Sequence, residues 1–347
     1  MTRIALVSPF TLPFFCGNSI LADRLTTGLR GRGHGVALFD SGKTRPEDVF
    51  PFKTDVLHSL NADRPHQWVK EFLRGNPVPW VITLTGTDYN SWCGKNEPPP
   101  HIKENLEGAG ALVVFHEEAL QSLNDCLPSV SKKIRVIPQG VSYSETRQDV
   151  LQLRREIGIG VNEIVFLMVS SIRPVKNLGA AIEAFFEVEG KFQNARLFLI
   201  GPIWDPEEGP RILEMGRRLR CFSYLGEKPQ SEVRRFMAAS DIFLNTSLNE
   251  GMPGAVLEAM AEGLPILASF IEGNRSLVVD GENGLLFPVD KKEDLTEAAI
   301  RLAQDRPLRR RMGEIGRQIV RTRHSVDLEL DRYEEVYRRL LKRSTPH

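Results

Sequence analysis

The feature that most constrains this chain is an alternation. Apolar runs of four to seven residues are followed by stretches long enough for a helix. Such runs suit strands buried on both faces, and a strand–helix–strand rhythm is how a parallel sheet is wound. In the first half the runs fall at residues 4–9, 36–39, 56–59, 80–84, 111–115 and 134–138. Between the first two, helical spacing runs from Asn18 to Arg32 and ends in Gly31-Arg32-Gly33-His34-Gly35, a glycine-rich exit that makes His34 a turn residue. A polar stretch, residues 142–149, separates this half from a restart. Runs resume at 164–170, 196–201, 222–225, 241–245, 264–268 and 284–288, with helices expected over 178–188, 232–239 and 255–262. From Leu295 onward only helical spacing remains, through Leu302, Met312, Ile315, Ile319, Val336 and Leu340. The expected fold is α/β, with two Rossmann-like doubly wound domains over residues 1–145 and 146–324.

Composition narrows the function classes. Over 347 residues Lys+Arg and Asp+Glu both number 45, which gives no basic excess for nucleic acid. Residues 301–347 hold 13 basic and 7 acidic side chains, a local excess of +6. That excess suits solvated amphipathic helices or a peripheral contact with an anionic membrane. Cys16, Cys93, Cys126 and Cys221 show no C-x-x-C spacing, so neither a zinc site nor a disulfide framework is expected and the thiols should be reduced, as in a cytoplasmic protein. No apolar stretch approaches the roughly 20 residues of a membrane span, and no signal-peptide core precedes the first strand.

In open parallel sheets ligands bind beyond the carboxyl ends of the strands, so the loops after the apolar runs carry the candidates. Ser170-Ser171-Ile172-Arg173-Pro174-Val175-Lys176-Asn177 brings two cations to the start of a helix. Unpaired helix amides and fixed positive charge together suit a diphosphate leaving group, work that Arg173 and Lys176 would do without a metal. The run from Asn245 to Glu258 again passes from strand through loop to helix, with Asn249, Glu250, Gly251, Met252, Pro253 and Gly254 in the loop. Glu250 and Glu258 are spaced to place one carboxylate on a sugar and another on a ribose, since eight helical residues rise ~12 Å. In the first half, Cys16-Gly17-Asn18-Ser19 opens a helix, Thr85-Gly86-Thr87-Asp88 follows the fourth run, and His58 and His116 end the third and fifth. The chain lacks a G-x-G-x-x-G dinucleotide fingerprint, a G-x-x-x-x-G-K-[ST] phosphate loop and a D-x-D pair after a strand.

Taken together these residues resemble group 1, also called family 4, of the retaining glycosyltransferases with the GT-B fold, in which two Rossmann-like domains face a cleft. The likeness rests on E-x7-E, read as Glu250 and Glu258, and on R-x-x-K, read as Arg173 and Lys176 about 75 residues earlier. Shorter runs (GNS at 17, GTDYN at 86, GPIWDP at 201, GEKPQ at 226, IEGN at 271) are similar to a glycosyltransferase 1 domain-containing branch. TLTGTD is also similar to a selenosugar synthase branch, and both stay open.

The resemblance implies that the second domain binds a nucleotide-sugar, UDP- or GDP-linked, and the first a small-molecule or glycan acceptor. The last helix, residues 325–343, would pack back on the first domain. Arg173, Lys176 and Glu250 would be catalytic. Glu258 would hold the ribose, and Gly17, Asn18, Asn249, Gly251, Met252, Pro253 and Gly254 would line phosphate and sugar. No metal or other cofactor is implied. The family often has a histidine after the fourth strand of the first domain. This sequence has Thr87 and Asp88 there, which with His116 become the acceptor-side candidates. A nucleotide-sugar hydrolase or epimerase of the same fold would instead consume donor without acceptor, and a non-catalytic relative would only bind it.

Overall fold

The computed structural model describes residues 1–14, 16–142 and 149–344, so the expected boundary near residue 145 lies outside the described residues. The chain divides into two compact units, one of Met1–Gly140 with His324–His347 and the other of Val141–Arg323.

Each apolar run forms a strand. In the first unit these are β1 (Arg3–Ser8), β2 (Gly35–Asp40), β3 (Val56–Leu60), β4 (Trp80–Thr83), β5 (Ala111–Val114) and β6 (Ile134–Val136). They form one parallel sheet in the order β2-β1-β3-β4-β5-β6. Helices α1 (Gly17–Gly31), α2 (His66–Gly75), α3 (Pro100–Gly108) and α4 (Glu117–Cys126) provide the crossovers that parallel pairing demands. All residues of β3, β4 and β5 are buried, as expected of strands covered on both faces.

The second unit contains α5 (Val150–Glu156), β7 (Ile164–Val169), α6 (Leu178–Lys191), β8 (Ala195–Ile200), α7 (Glu208–Arg217), β9 (Phe222–Tyr224), α8 (Gln230–Ala239) and β10 (Ile242–Asn245). It continues through α9 (Gly254–Glu262), β11 (Ile266–Ser269), α10 (Glu272–Arg275), β12 (Gly284–Phe287), α11 (Lys292–Gln304) and α12 (Arg306–Arg323). Its parallel sheet runs β12-β11-β10-β7-β8-β9. The connection order reverses between β7 and β10, the topological switch point where such sheets open a crevice.

The final helix, α13 (Val326–Ser344), completes the first unit. Tyr337 and Tyr333 are fully buried beside His58 of β3. His58 Nδ1 lies 2.7 Å from the Tyr337 hydroxyl and its Nε2 2.8 Å from Thr83 Oγ1, which in turn lies 3.0 Å from the Tyr333 hydroxyl. Burial pushes the His58 imidazole down to about 3, so it is neutral and structural. Arg24 grips the buried Glu329 carboxylate with two bonds of 2.8 and 2.9 Å, and Arg32 reaches Asp327, Asp331 and Glu334. His34 pairs with Glu334 at 2.9 Å. Among the described residues no helix is long and apolar enough to cross a membrane.

The cysteine expectation is corrected. Cys93 and Cys126 form a disulfide across 33 residues, with Cα atoms 5.6 Å apart. Cys126 ends α4 and Cys93 lies in the turn-rich segment after β4, so adjacent strands bring together thiols whose spacing carries no motif. Cys16 and Cys221 are free thiols, and burial pushes Cys221 up to about 12.

Candidate active site

The switch point of the second sheet gathers the loops after β7 and β10. After β7 the chain does not enter a helix at once. Pro174–Lys176 forms a 3₁₀ turn, Asn177 takes a left-handed conformation (φ 48°), and only then does α6 start. This detour carries Lys176 to the loop after β10. There its Nζ meets Glu250 Oε1 at 2.5 Å, and Ser247 Oγ donates to the same oxygen at 2.7 Å. Two further bonds stitch the loops together, Thr246 Oγ1 to Lys176 O at 3.0 Å and the Leu248 amide to Val175 O at 2.9 Å. Both partners of the Lys176–Glu250 pair are 14% exposed. Burial alone would push the Glu250 carboxyl up. The charge and hydrogen bond of Lys176, with Ser247 and Arg173 adding to them, outweigh it and hold the carboxyl below its usual value.

Behind this pair, Ser269 at the end of β11 donates to Ser247 O, and the Asn274 amide donates to Ser269 O and Oγ at 2.9 and 3.0 Å. Gly273 leaves no room for a side chain against Glu250 and Gly251. Gly251, Met252 and Pro253 are buried, Asn249 is half-buried and Gly254 is exposed at the start of α9, where Pro253 occupies the cap position. Glu258 lies one turn into α9, half-buried, and accepts a 2.7 Å bond from Gln230 Nε2 at the start of α8. Arg173 lies over the Trp204 ring, 4.9 Å from its centroid.

In the first unit the candidates separate. Gly17 and Asn18 open α1 at the carboxyl end of β1, where Cys16 and Ser19 form a reciprocal cap. Asp88 is buried and organises its own loop. Its carboxylate accepts the amides of Ala62, Thr85 and Gly86 at 2.8, 3.0 and 2.9 Å, and burial pushes it up to about 6 despite these bonds. His116 caps α4, its Nδ1 accepting the Ala119 amide at 3.1 Å. Thr87 is exposed, 3.4 Å from Asn61 Nδ2. Asp88 and His116 are thus held in structural hydrogen bonds. A cavity of about 460 Å³ in this unit, lined by His34, Glu334, Tyr337 and Arg338 among others, lies by the amino ends of β1 and β2, the wrong edge for a ligand of a parallel sheet.

Gln230, Gly273, Ser247 and Trp204 support this site without having been singled out as candidates. Three of them stand in GEKPQ, IEGN and GPIWDP, short runs whose residue types carry no chemistry until the fold assembles them. Among the described residues, no group of three or more His, Cys, Asp or Glu is placed to hold a metal ion.

Two doubly wound parallel sheets, the second with cations and a carboxylate gathered at its switch point, give the GT-B fold, and the chain's relatives make it an enzyme of the glycosyltransferase class (EC 2.4). Residues 149–319 match the family model described as Glycosyl transferases group 1. The chain is 28% identical over 324 residues to glycosyltransferase 1 domain-containing protein 1 of Xenopus tropicalis, covering 92% of this chain and 93% of that one. It is 26% identical over 295 residues to N-acetyl-alpha-D-glucosaminyl L-malate synthase of Bacillus anthracis, covering 83% and 75%. Among solved structures, sucrose-phosphate synthase of Thermosynechococcus elongatus superposes with a TM-score of 0.83 at 20% identity, covering 99% and 100%. Anabaena Alr3699/HepE, solved in complex with UDP and glucose, superposes at 0.80 and 16% identity, covering 98% and 100%.

Proposed function

We propose that this glycosyltransferase takes a sugar from a nucleoside diphosphate donor bound by the second unit and transfers it, with retention of anomeric configuration, to a hydroxyl-bearing acceptor. The observation that carries this reading is the Lys176–Glu250 pair with Arg173 beside it at the switch point. Two cations suit the diphosphate, Glu250 suits the sugar hydroxyls, and Glu258, steadied by Gln230, suits the ribose. The solved Anabaena relative holds UDP and glucose.

In this mechanism the acceptor oxygen attacks the anomeric carbon on the face that the diphosphate leaves. The bond from that carbon to the phosphate oxygen breaks, its electron pair stays on phosphate, and the same phosphate group takes the acceptor proton. Arg173 and Lys176 stabilise the charge that develops there, so neither a metal nor a protein base is needed. Asp88 and His116, already committed to backbone amides, are left out of the chemistry.

The test is a thermal-shift panel of UDP-, GDP- and ADP-sugars on the wild type and on Glu258→Gln. A ligand at 100 times its Kd adds about 2.7 kcal/mol. One nucleotide series should stabilise the wild type and do so less in the variant. Turnover with a matching acceptor should then give product of the donor's anomeric configuration by NMR. No stabilisation by any series, or an inverted product, would defeat the proposal.

A further inference from the structure

Arginine side chains carry about 2 kcal/mol of rotamer entropy, so a guanidinium that must meet a diphosphate in one place gains from being held there beforehand. Arg173 is held by an aromatic face. Its guanidinium carbon lies 4.9 Å from the Trp204 ring centroid, within the distance at which a cation is attracted to an indole.

The ring itself is anchored through its backbone. The Trp204 and Asp205 amides both donate to Ile172 O at 3.1 Å, and the Ile172 amide donates to Pro202 O at 2.8 Å. Ile172 is fully buried, and it forms an isolated bridge with Ile203. Gly201 makes the approach possible: a Cβ there would lie 2.1 Å from Ser170 O. On the far side the Tyr224 hydroxyl donates to Gly201 O at 2.8 Å, and Asp205 Oδ1 caps α7 through the Glu207 and Glu208 amides. The loop after β8 is therefore clamped to the residue preceding Arg173 and carries the indole with it.

We propose that Trp204 is a positioning residue, whose indole face sets the guanidinium of Arg173 where the donor's diphosphate binds. The inference rests on the donor-site reading above. It assigns the indole face that Arg173 covers to phosphate placement rather than to stacking on the base.

The experiment uses the full chain and calorimetric titration with UDP, GDP and ADP, and with uridine, guanosine and adenosine as phosphate-free controls. Trp204→Leu should weaken diphosphate binding about 3–30-fold, the range a cation–π contact supports, and leave nucleoside binding unchanged. Trp204→Phe, which keeps a π face, should restore binding to within roughly threefold of wild type. In an Arg173→Gln background, Trp204→Leu should have no further effect. Circular dichroism checks folding, with Trp204→Met in reserve should the leucine variant fail to fold.

An equal loss of nucleoside binding would make Trp204 a base contact and overturn the inference, as would a full additive loss on top of Arg173→Gln. If a nucleoside diphosphate binds but Arg173→Gln is silent, the donor site stands and the role of Trp204 falls. If none of the three diphosphates binds the wild type, the donor-site reading and this inference fall together.

Discussion

The α-carbon of Gly273 lies hard against Glu250, so close that a methyl group there would sit 2.7 Å from both the Glu250 Cβ and its carbonyl oxygen. The carboxylate proposed to meet the sugar is thus located by a backbone on the neighbouring strand's loop. Gly273→Ala must push the Glu250 loop outward, and misplacement by about 1 Å can cost ~10²-fold in rate. We expect kcat/KM to fall by roughly 10–10²-fold, with an unchanged circular dichroism spectrum. Full activity in the alanine variant would mean that the loop yields without consequence.

Lys176 has two separable effects. Its removal should lower kcat/KM about 10²–10³-fold if it stabilises the leaving group. It also strips the partner from a nearly buried carboxylate, a change that costs roughly 3 kcal/mol or more. Urea unfolding should therefore show Lys176→Ala less stable than the double variant Lys176→Ala/Glu250→Gln. The reverse order would show that leaving the Glu250 carboxylate unpaired carries no such cost.

Gln230 offers its amide to one oxygen of Glu258 at 2.7 Å. Losing a hydrogen bond to a charged group costs about 1.5–3 kcal/mol where it fixes a binding group. The shift in Tm given by the preferred nucleoside diphosphate should shrink in Gln230→Ala, and shrink further in Glu258→Gln. An undiminished shift in both would remove Glu258 from the donor site.

The buried His58 gives a pH signature. Its native value is about 3, whereas the unfolded chain takes up a proton near its ordinary value of about 6.5. Below about 6.5 the unfolded state therefore binds the extra proton, and stability falls with falling pH at about 1.4 kcal/mol per unit. Asp88 acts in the opposite sense. Its native value of about 6 means that the native state is protonated first, so its contribution is lost as pH rises from about 4 to 6. Chemical denaturation at pH 7 and pH 5 should show the stability advantage of wild type over His58→Gln shrinking by roughly 2 kcal/mol. A pH-independent difference would mean that the imidazole takes up its proton equally readily in the native and unfolded states.

The Cys93–Cys126 bridge closes a separation of 33 residues, which the chain-entropy estimate values at about 4 kcal/mol. Reductant should lower the Tm of the wild type and leave that of Cys93→Ser unaffected. Alkylation under non-reducing conditions, read by mass spectrometry, should label Cys16 but neither Cys93 nor Cys126. Labelling of both would show the thiols reduced.

Strands were the most legible part of this fold because a run such as Ile164-Val165-Phe166-Leu167-Met168-Val169 has no other way to bury both faces. Helices α2 and α4 were not legible. Each is ten residues long, and they begin after Pro65 and His116 rather than after a serine, threonine, aspartate or asparagine. The imidazole of His116 does the work of such a cap, and in the sequence it looked like a candidate for chemistry. At the site, Arg173, Lys176, Glu250 and Glu258 could be read because each follows a strand and carries charge. Gln230, Gly273 and Trp204 could not, since their contribution is to hold those four, and holding is a matter of distances between segments far apart in the chain.

Arg24 and Glu329 are separated by 305 residues. At a synthesis rate of roughly 5–20 residues per second, the arginine emerges ~15–60 s before the carboxylate that neutralises it. Throughout that interval the groove that Tyr333 and Tyr337 will fill lies open beside His58, while the second unit, contiguous in sequence, can finish folding. The N-terminal half of this enzyme is therefore the last to mature. A frameshift in the codons for α13 would injure the domain that is built around β1.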